Sequence, residues 1–159
     1  MLDPNVRPTL ASDPQHRHRL QWLIPRSTIL KASAEDMAWL YPGIDYLAAA
    51  ERVLATGVRL VLVTLGPAGA YGTTGKSQLS VSAPPVEVVD TIGAGDAFGA
   101  AALAWLDDHD SLDPELSLSE KQLQSLLSYA SLAASLTCTR SGAEPPWRSE
   151  MHAPRSPAP

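Results

Sequence analysis

The amino-acid sequence predicts an α/β protein in three layers, a largely parallel sheet with helices on both faces. Three observations carry that prediction. Val58 to Leu65 (V-R-L-V-L-V-T-L) is a β-branched, nearly continuous apolar run, the pattern of a central strand covered on both sides. Strand-like runs alternate with segments of helical period along the chain. Glu120 to Thr137 repeats apolar residues at Leu123, Leu126, Leu127, Ala130, Ala133 and Ala134, and its alanines suit close packing on a sheet. With 159 residues and 45% hydrophobic content the chain can bury one moderate core, so a single domain is expected.

The elements follow in order. Asp3 to Thr9 contains two prolines and reads as extended chain or loop. Asp13-Pro14 pairs an N-cap residue with proline at the first helical position and starts a helix to about Leu23. Thr28 to Lys31 is β-compatible, and Ser33-Ala34-Glu35-Asp36 reads as a helix entry with Met37, Trp39 and Leu40 as its apolar contacts. Tyr41-Pro42-Gly43 breaks that helix, and Ile44 to Ala55 forms another that ends at Gly57. After the central strand, Gly66-Pro67-Ala68-Gly69 turns the chain into a β-hairpin over Tyr71 to Ser82, with Gly75 near its tip. Val86 to Val89 is predicted as a further strand, followed by a glycine turn, a helix from Asp96 to Leu106 and a polar loop from Asp107 to Ser117. From Glu144 onward Pro145, Pro146, Pro154, Pro157 and Pro159 argue against an ordered element. The expected organisation is one domain over 1–143 and a disordered Pro-rich tail over 144–159.

Composition narrows the function. The formal net charge of -5 provides no basic field for nucleic acid or an acidic lipid surface. His16-Arg17-His18-Arg19 is the one basic knot and reads as a solvated helix face. Cys138 is the single cysteine, so no intrachain disulfide forms, which suits a reducing cytoplasm. Met1-Leu2-Asp3-Pro4 has neither the basic nor the apolar region of a signal peptide, and no apolar run is long enough to span a bilayer. The expectation is a cytoplasmic chain with small-molecule ligands.

Two glycine patterns mislead. Gly93-x-Gly95-x-x-x-Gly99 looks like a dinucleotide fingerprint, yet no second strand ending in an acid follows about twenty residues later. Gly72-Thr73-Thr74-Gly75-Lys76-Ser77 looks like the end of a P-loop, but Ala70 stands where the earlier glycine is required and no helix follows. The informative stretch is Gly93-Ala94-Gly95-Asp96. Two glycines permit a tight turn, and the helix that opens there presents unpaired N–H groups that cradle an anion such as phosphate. Asp96 adds a carboxylate beside the cradle, placed to take a proton from an attacking hydroxyl.

Asp90 to Phe98 reads D-T-I-G-A-G-D-A-F and resembles the second signature, D-T-x-G-A-G-D-x-F, of the PfkB-type (ribokinase-like) carbohydrate kinases. Thr64-Leu65-Gly66-Pro67-Ala68-Gly69 resembles that family's T-L-G-x-x-G segment, and Asp3-Pro4-Asn5-Val6-Arg7 its D-P-N-x-R stretch. Lys31 to Pro42 is similar to the fructokinase version of its N-x-x-E segment, with Ser33 in place of asparagine and Asp36 in place of glutamate. Arg140-Ser141-Gly142-Ala143 resembles its closing R-x-G-A turn.

The resemblance implies a ribokinase-like fold and ATP-dependent phosphoryl transfer to a sugar hydroxyl, with D-fructose giving fructose 6-phosphate and 2-dehydro-3-deoxygluconate as the rival acceptor. It implies that Asp96 is the base and that Gly93, Ala94 and Gly95 form the anion hole. Thr64, Gly66 and Gly69 would meet the nucleotide phosphates, and Asn5 and Arg7 the sugar side. Asp36 would help place Mg²⁺, and backbone carbonyls at Asp90 and Ile92 a K⁺ ion. The resemblance covers Asp3 to Ala143, which corresponds to the carboxyl-terminal half of such a kinase, without its sugar-binding signature or lid. That leaves a fragment binding only nucleotide or a partner chain as the other expectation, with a homodimer or another association through an exposed sheet edge.

Overall fold

Asp13 and Pro14 start the first helix, α1 (Pro14–Leu23), where Oδ1 of Asp13 accepts the N–H of Gln15 at 2.9 Å. The computed structural model describes residues 1–7 and 13–152; Pro8, Thr9 and the tail from residue 153 lie outside the described residues. A 3₁₀ turn (Ile24–Arg26) leads to β1 (Ile29–Ser33), α2 (Ala34–Leu40), α3 (Tyr46–Leu54) and β2 (Leu60–Thr64). A second 3₁₀ turn (Gly66–Ala68) opens the hairpin of β3 (Ala70–Thr73) and β4 (Gln78–Val81), and two long helices follow, α4 (Ala94–Asp108) and α5 (Glu120–Cys138).

The sheet order is β1-β2-β3-β4. β1 and β2 run parallel, from Ile29 opposite Leu60 to Ser33 opposite Thr64, joined by a crossover through α2 and α3. β2 with β3 and β3 with β4 are antiparallel, because the short Gly66–Ala68 turn and the β3–β4 loop permit only a reversal of direction. The three-layer α/β class stands, but among the described residues the sheet is mixed rather than largely parallel. Leu2 extends the parallel part: its N–H donates to Ile29 O, and its carbonyl accepts from Lys31 N, both at 2.9 Å.

Alternation along β2 divides the core. Leu60 and Leu62 pack with Phe98, Leu106, Leu123 and Leu127 of α4 and α5. Val61 and Val63 pack with Leu30, Met37 and Val53 on the opposite face, under α1 to α3. The most apolar run of the sequence is thus the strand buried from both sides.

Two expectations are corrected. Val86 to Val89 is not a strand. Pro84 and Pro85 carry no N–H for a ladder, and the N–H groups of Val89 and Asp90 both donate instead to Cys138 O, at 2.8 and 3.2 Å. The chain there hangs from the carbonyl of Cys138, the last residue of α5, and Val88 is 60% and Val89 62% exposed. The segment after Glu144 also holds an ordered element, a 3₁₀ turn at Glu150–His152 with Met151 buried and Arg140 paired to Glu150. Prolines exclude a long helix or central strand, but a single turn tolerates them nearby. The P-loop look-alike is the tip of the hairpin, where Thr74 N–H donates to Ser77 O at 3.0 Å and Gly75 has φ +81°.

Candidate active site

The carboxyl ends of β1 and β2, at Ser33 and Thr64, open into a cleft of about 540 Å³. The turn after β2 contributes Gly66 and Gly69, the first turn of α4 contributes Ala94 and Gly95, and α5 contributes Ser131 and Ser135. Pro84 to Val86 and Val88 close another side. Five separate sequence stretches are thus brought to one cavity, and Thr64, Gly66, Gly69, Ala94 and Gly95 are among its walls.

Gly93 is the N-cap of α4, in the left-handed region at φ +78°. A Cβ on Gly93 would stand 2.6 Å from the Cβ of Ala143, so the glycine is required both by conformation and by the close approach of the Arg140–Ala143 turn. Ala94 N–H is engaged by Thr91 O at 3.3 Å and Ala97 N–H by Gly93 O at 2.8 Å. Gly95 and Asp96 are therefore the first-turn amides without a backbone acceptor among the described residues. Asp96 is exposed, at the third position of the helix.

Asp90 lies at the base of the turn. Its Oδ1 accepts the N–H of Ile92 at 3.0 Å and its Oδ2 that of Gly142 at 2.9 Å. The Ile92 bond, then the Gly142 bond, hold its carboxyl below the usual aspartate range against the opposing effect of desolvation. Burial, and secondarily the Asp90 charge, push the Cys138 thiol up, so it stays protonated at neutral pH.

The acidic residue expected near Mg²⁺ is held differently. Asp36 is buried, with Oδ1 accepting Val6 N–H and Oδ2 accepting Ser33 N–H, both at 2.9 Å. It completes a capping box for α2, in which Ser33 Oγ accepts Asp36 N–H at 3.0 Å. The neighbouring Glu35 is exposed and lines the cleft. Asn5 and Arg7 are exposed on the segment that Asp36 pins, and Asn5 adopts φ +42°. Among the described residues no group of three or more His, Cys, Asp or Glu forms a metal cage.

Two features went unread in the sequence. Ser131 is 4% exposed, and its Oγ is buried with no hydrogen-bond partner although it lines the cleft. A buried hydroxyl without a partner is costly, which fits a cleft that receives a polar ligand. The signal was present as Ser131 and Ser135, an i, i+4 polar pair on an otherwise apolar helix face. The second is Lys31, a lysine within an apolar strand, 5% exposed and paired to Asp3 Oδ2 at 2.7 Å.

Comparison with known proteins bears on this geometry. The sequence profile described as pfkB family carbohydrate kinase matches residues 1–150. A fructokinase of Rhizobium leguminosarum bv. trifolii is 40% identical over 126 residues, covering 79% of this chain and 37% of the relative. Among solved structures, a putative ribokinase II from E. coli in complex with ATP and Mg²⁺ superposes with a TM-score of 0.73 at 31% identity, over 89% of this chain and 42% of that one. A fructokinase double mutant from Vibrio cholerae O395, in a fructose, ADP and potassium ion bound form, gives 0.75 at 28% identity, over 89% and 44%. These neighbours are ribokinase-like α/β proteins, and the chain spans less than half the length of each. Among the described residues no helix is long and apolar enough to cross a membrane.

Proposed function

Because the chain belongs to the pfkB family of carbohydrate kinases, we propose that it forms the nucleotide-binding part of an ATP-dependent sugar kinase, with D-fructose as the phosphoryl acceptor. The observation that carries this reading is the left-handed Gly93 cap, which starts the 15-residue helix α4 at the wall of a cleft holding an unsatisfied hydroxyl. The Gly95 and Asp96 amides, at the positive end of the helix, would stabilise charge on the transferred phosphoryl group. Asp96 would accept the proton of the attacking hydroxyl, a role its exposure permits. Such a transfer needs little covalent help from the protein; positioning and charge do most of it.

Thr64, Gly66 and Gly69 would border the nucleotide phosphates, and Asn5 and Arg7 the sugar side. Mg²⁺, when bound, would neutralise phosphate charge; Glu35 faces the cleft, and Asp36 would act through the segment it pins. A K⁺ ion would sit near the backbone of Asp90 and Ile92; the potassium-bound form of the Vibrio fructokinase double mutant supports a cation of this kind but not its place. Exposed Val88, Val89 and Ile92 make this surface the place where further chain of the kinase, or a second copy, would pack.

The test is ATP-dependent phosphorylation of fructose by this chain, with 2-dehydro-3-deoxygluconate as the competing acceptor. Fructose is expected to be preferred, and Asp96→Asn to lower turnover by roughly 10²- to 10⁴-fold, the usual contribution of a positioned base. Turnover that survives Asp96→Asn overturns the role of Asp96. Preference for the competing acceptor overturns the assignment of fructose.

A further inference from the structure

Lys31 is the one lysine among the buried residues, and its position is unusual for a cation. Side chains alternate along β1: Leu30 and Ala32 join the core under α1 to α3, whereas Ile29 joins the core under α4 and α5. Lys31 shares the second face and lies against the small residues of α4. A Cβ built on Gly95 would stand 3.0 Å from Lys31 Nζ, and one on Gly99 3.9 Å from Lys31 Cδ. The pair Gly95 and Gly99, i and i+4 on one helix face, thus forms a groove that the lysine shares with Met1, whose Cε would stand 3.1 Å from a Cβ on Gly99. The glycine pattern that imitates a dinucleotide fingerprint has a different use here.

This arrangement places an ammonium beside the first turn of α4, where the helix already presents the positive end of its dipole. Two positive features in contact disfavour each other, and burial strengthens the effect. Asp3 relieves it in part, with its Oδ2 accepting from Nζ at 2.7 Å while Oδ1 accepts the N–H of Asn5 at 3.2 Å. The Asp3 side chain is 26% exposed, so its compensation is shared with solvent. An anion at the Gly95 amide would relieve the remainder. The cleft that Gly95 lines also holds the unpartnered Ser131 Oγ, an independent sign of a polar ligand there.

We propose that Lys31, seated in the Gly95–Gly99 groove and oriented by Asp3, is a positioning residue that raises the positive potential at the glycine turn and favours phosphoryl anions there. It acts from beneath the turn, through Gly95, rather than as a wall of the cleft. The inference rests on the proposed kinase reading for the identity of the anion, but its geometry stands without it.

The experiment uses the whole chain, inorganic pyrophosphate and adenosine as separate probes, and the Gly95 amide resonance as readout. A purely structural role for the ion pair would make Lys31→Met and Asp3→Asn err in the same direction. A potential-setting role gives them opposite signs. Lys31→Met is expected to weaken pyrophosphate binding by about tenfold, the order of one partly screened charge. Lys31→Arg restores part of it, and Asp3→Asn tightens it several-fold by freeing the ammonium. Adenosine binding is unchanged in all three.

Equal losses for adenosine and pyrophosphate, or no tightening in Asp3→Asn, overturn the proposal. So does a wild-type Gly95 amide that does not respond to pyrophosphate. If Lys31→Met fails to fold, the sign of the Asp3→Asn effect decides alone. A pyrophosphate response without adenosine binding supports the role of Lys31 and counts against the nucleotide reading, so the two failures are distinguishable.

Discussion

Oδ2 of Asp90 accepts the N–H of Gly142 at 2.9 Å, across 52 residues of chain. With Oδ1 on Ile92 N–H, one carboxylate joins the base of the glycine turn to the turn that follows α5. Ala143, next along, fills the space that a side chain at Gly93 would need. The two loops are fixed to each other by one charge and one close contact.

That charge makes the junction pH-dependent. The folded state holds the Asp90 carboxyl below its usual value, first through Ile92 N–H and then through Gly142 N–H. Its contribution is therefore present above the unfolded aspartate pKa, about 3.9, and is lost as pH falls through the lower folded value. Asp90→Asn is expected to lower the melting temperature by a constant amount from pH 6 to 8, with the gap closing below about pH 4. A gap that persists unchanged in acid would show that the charge is not what holds the loops.

Gly69 has φ +108°, and a Cβ there would stand 1.9 Å from Val81 O. Gly69→Ala is expected to cost about 3 kcal/mol or more, because strain and a backbone clash combine. Urea denaturation of the variant measures it, and a loss below about 1 kcal/mol would mean that the β3 end can move aside.

Ser131→Ala separates stability from binding. Removing a buried hydroxyl without a partner is expected to raise stability by up to about 1 kcal/mol, while adenosine binding weakens. Calorimetry and thermal denaturation on the same preparation read both quantities. Stability and affinity falling together would indicate that the hydroxyl is satisfied in the protein alone.

Ser33→Ala removes the acceptor for Asp36 N–H at the start of α2, at an expected cost of about 1 kcal/mol. The check is an equilibrium unfolding curve in which the midpoint shifts and the slope does not.

Local chemistry was legible in the sequence wherever it acts over a few residues. Asp13-Pro14, Ser33 with Asp36, and the turns at Gly66 and Gly75 read as caps and turns and fold as such. Val86 to Val89 misled because β-branched residues report a preference for extended chain, not a partner to pair with. The cleft was legible in Thr64, Gly66 and the glycine turn, which stand at strand and helix ends. Ser131 and Lys31 were not, since a hydroxyl on an alanine-rich helix and a lysine in a strand acquire meaning only from what packs opposite them.

The Asp36 carboxylate holds Ser33 N–H, three residues back, and Val6 N–H, thirty residues back. The near contact closes a helical turn and is reached quickly; the far one closes a long loop and waits on its entropy. During folding, α2 is then expected to be in place before the segment bearing Asn5 and Arg7 settles onto it. Pulse-labelled hydrogen exchange should protect Asp36 N–H earlier than Val6 N–H, and the reverse order would refute this sequence of events. A late-docking segment is also the first to leave. Release of the Val6 amide would free Asn5 and Arg7 while Leu2 and Asp3 stay tied to β1, through Ile29 O, Lys31 N–H and the Lys31 ammonium.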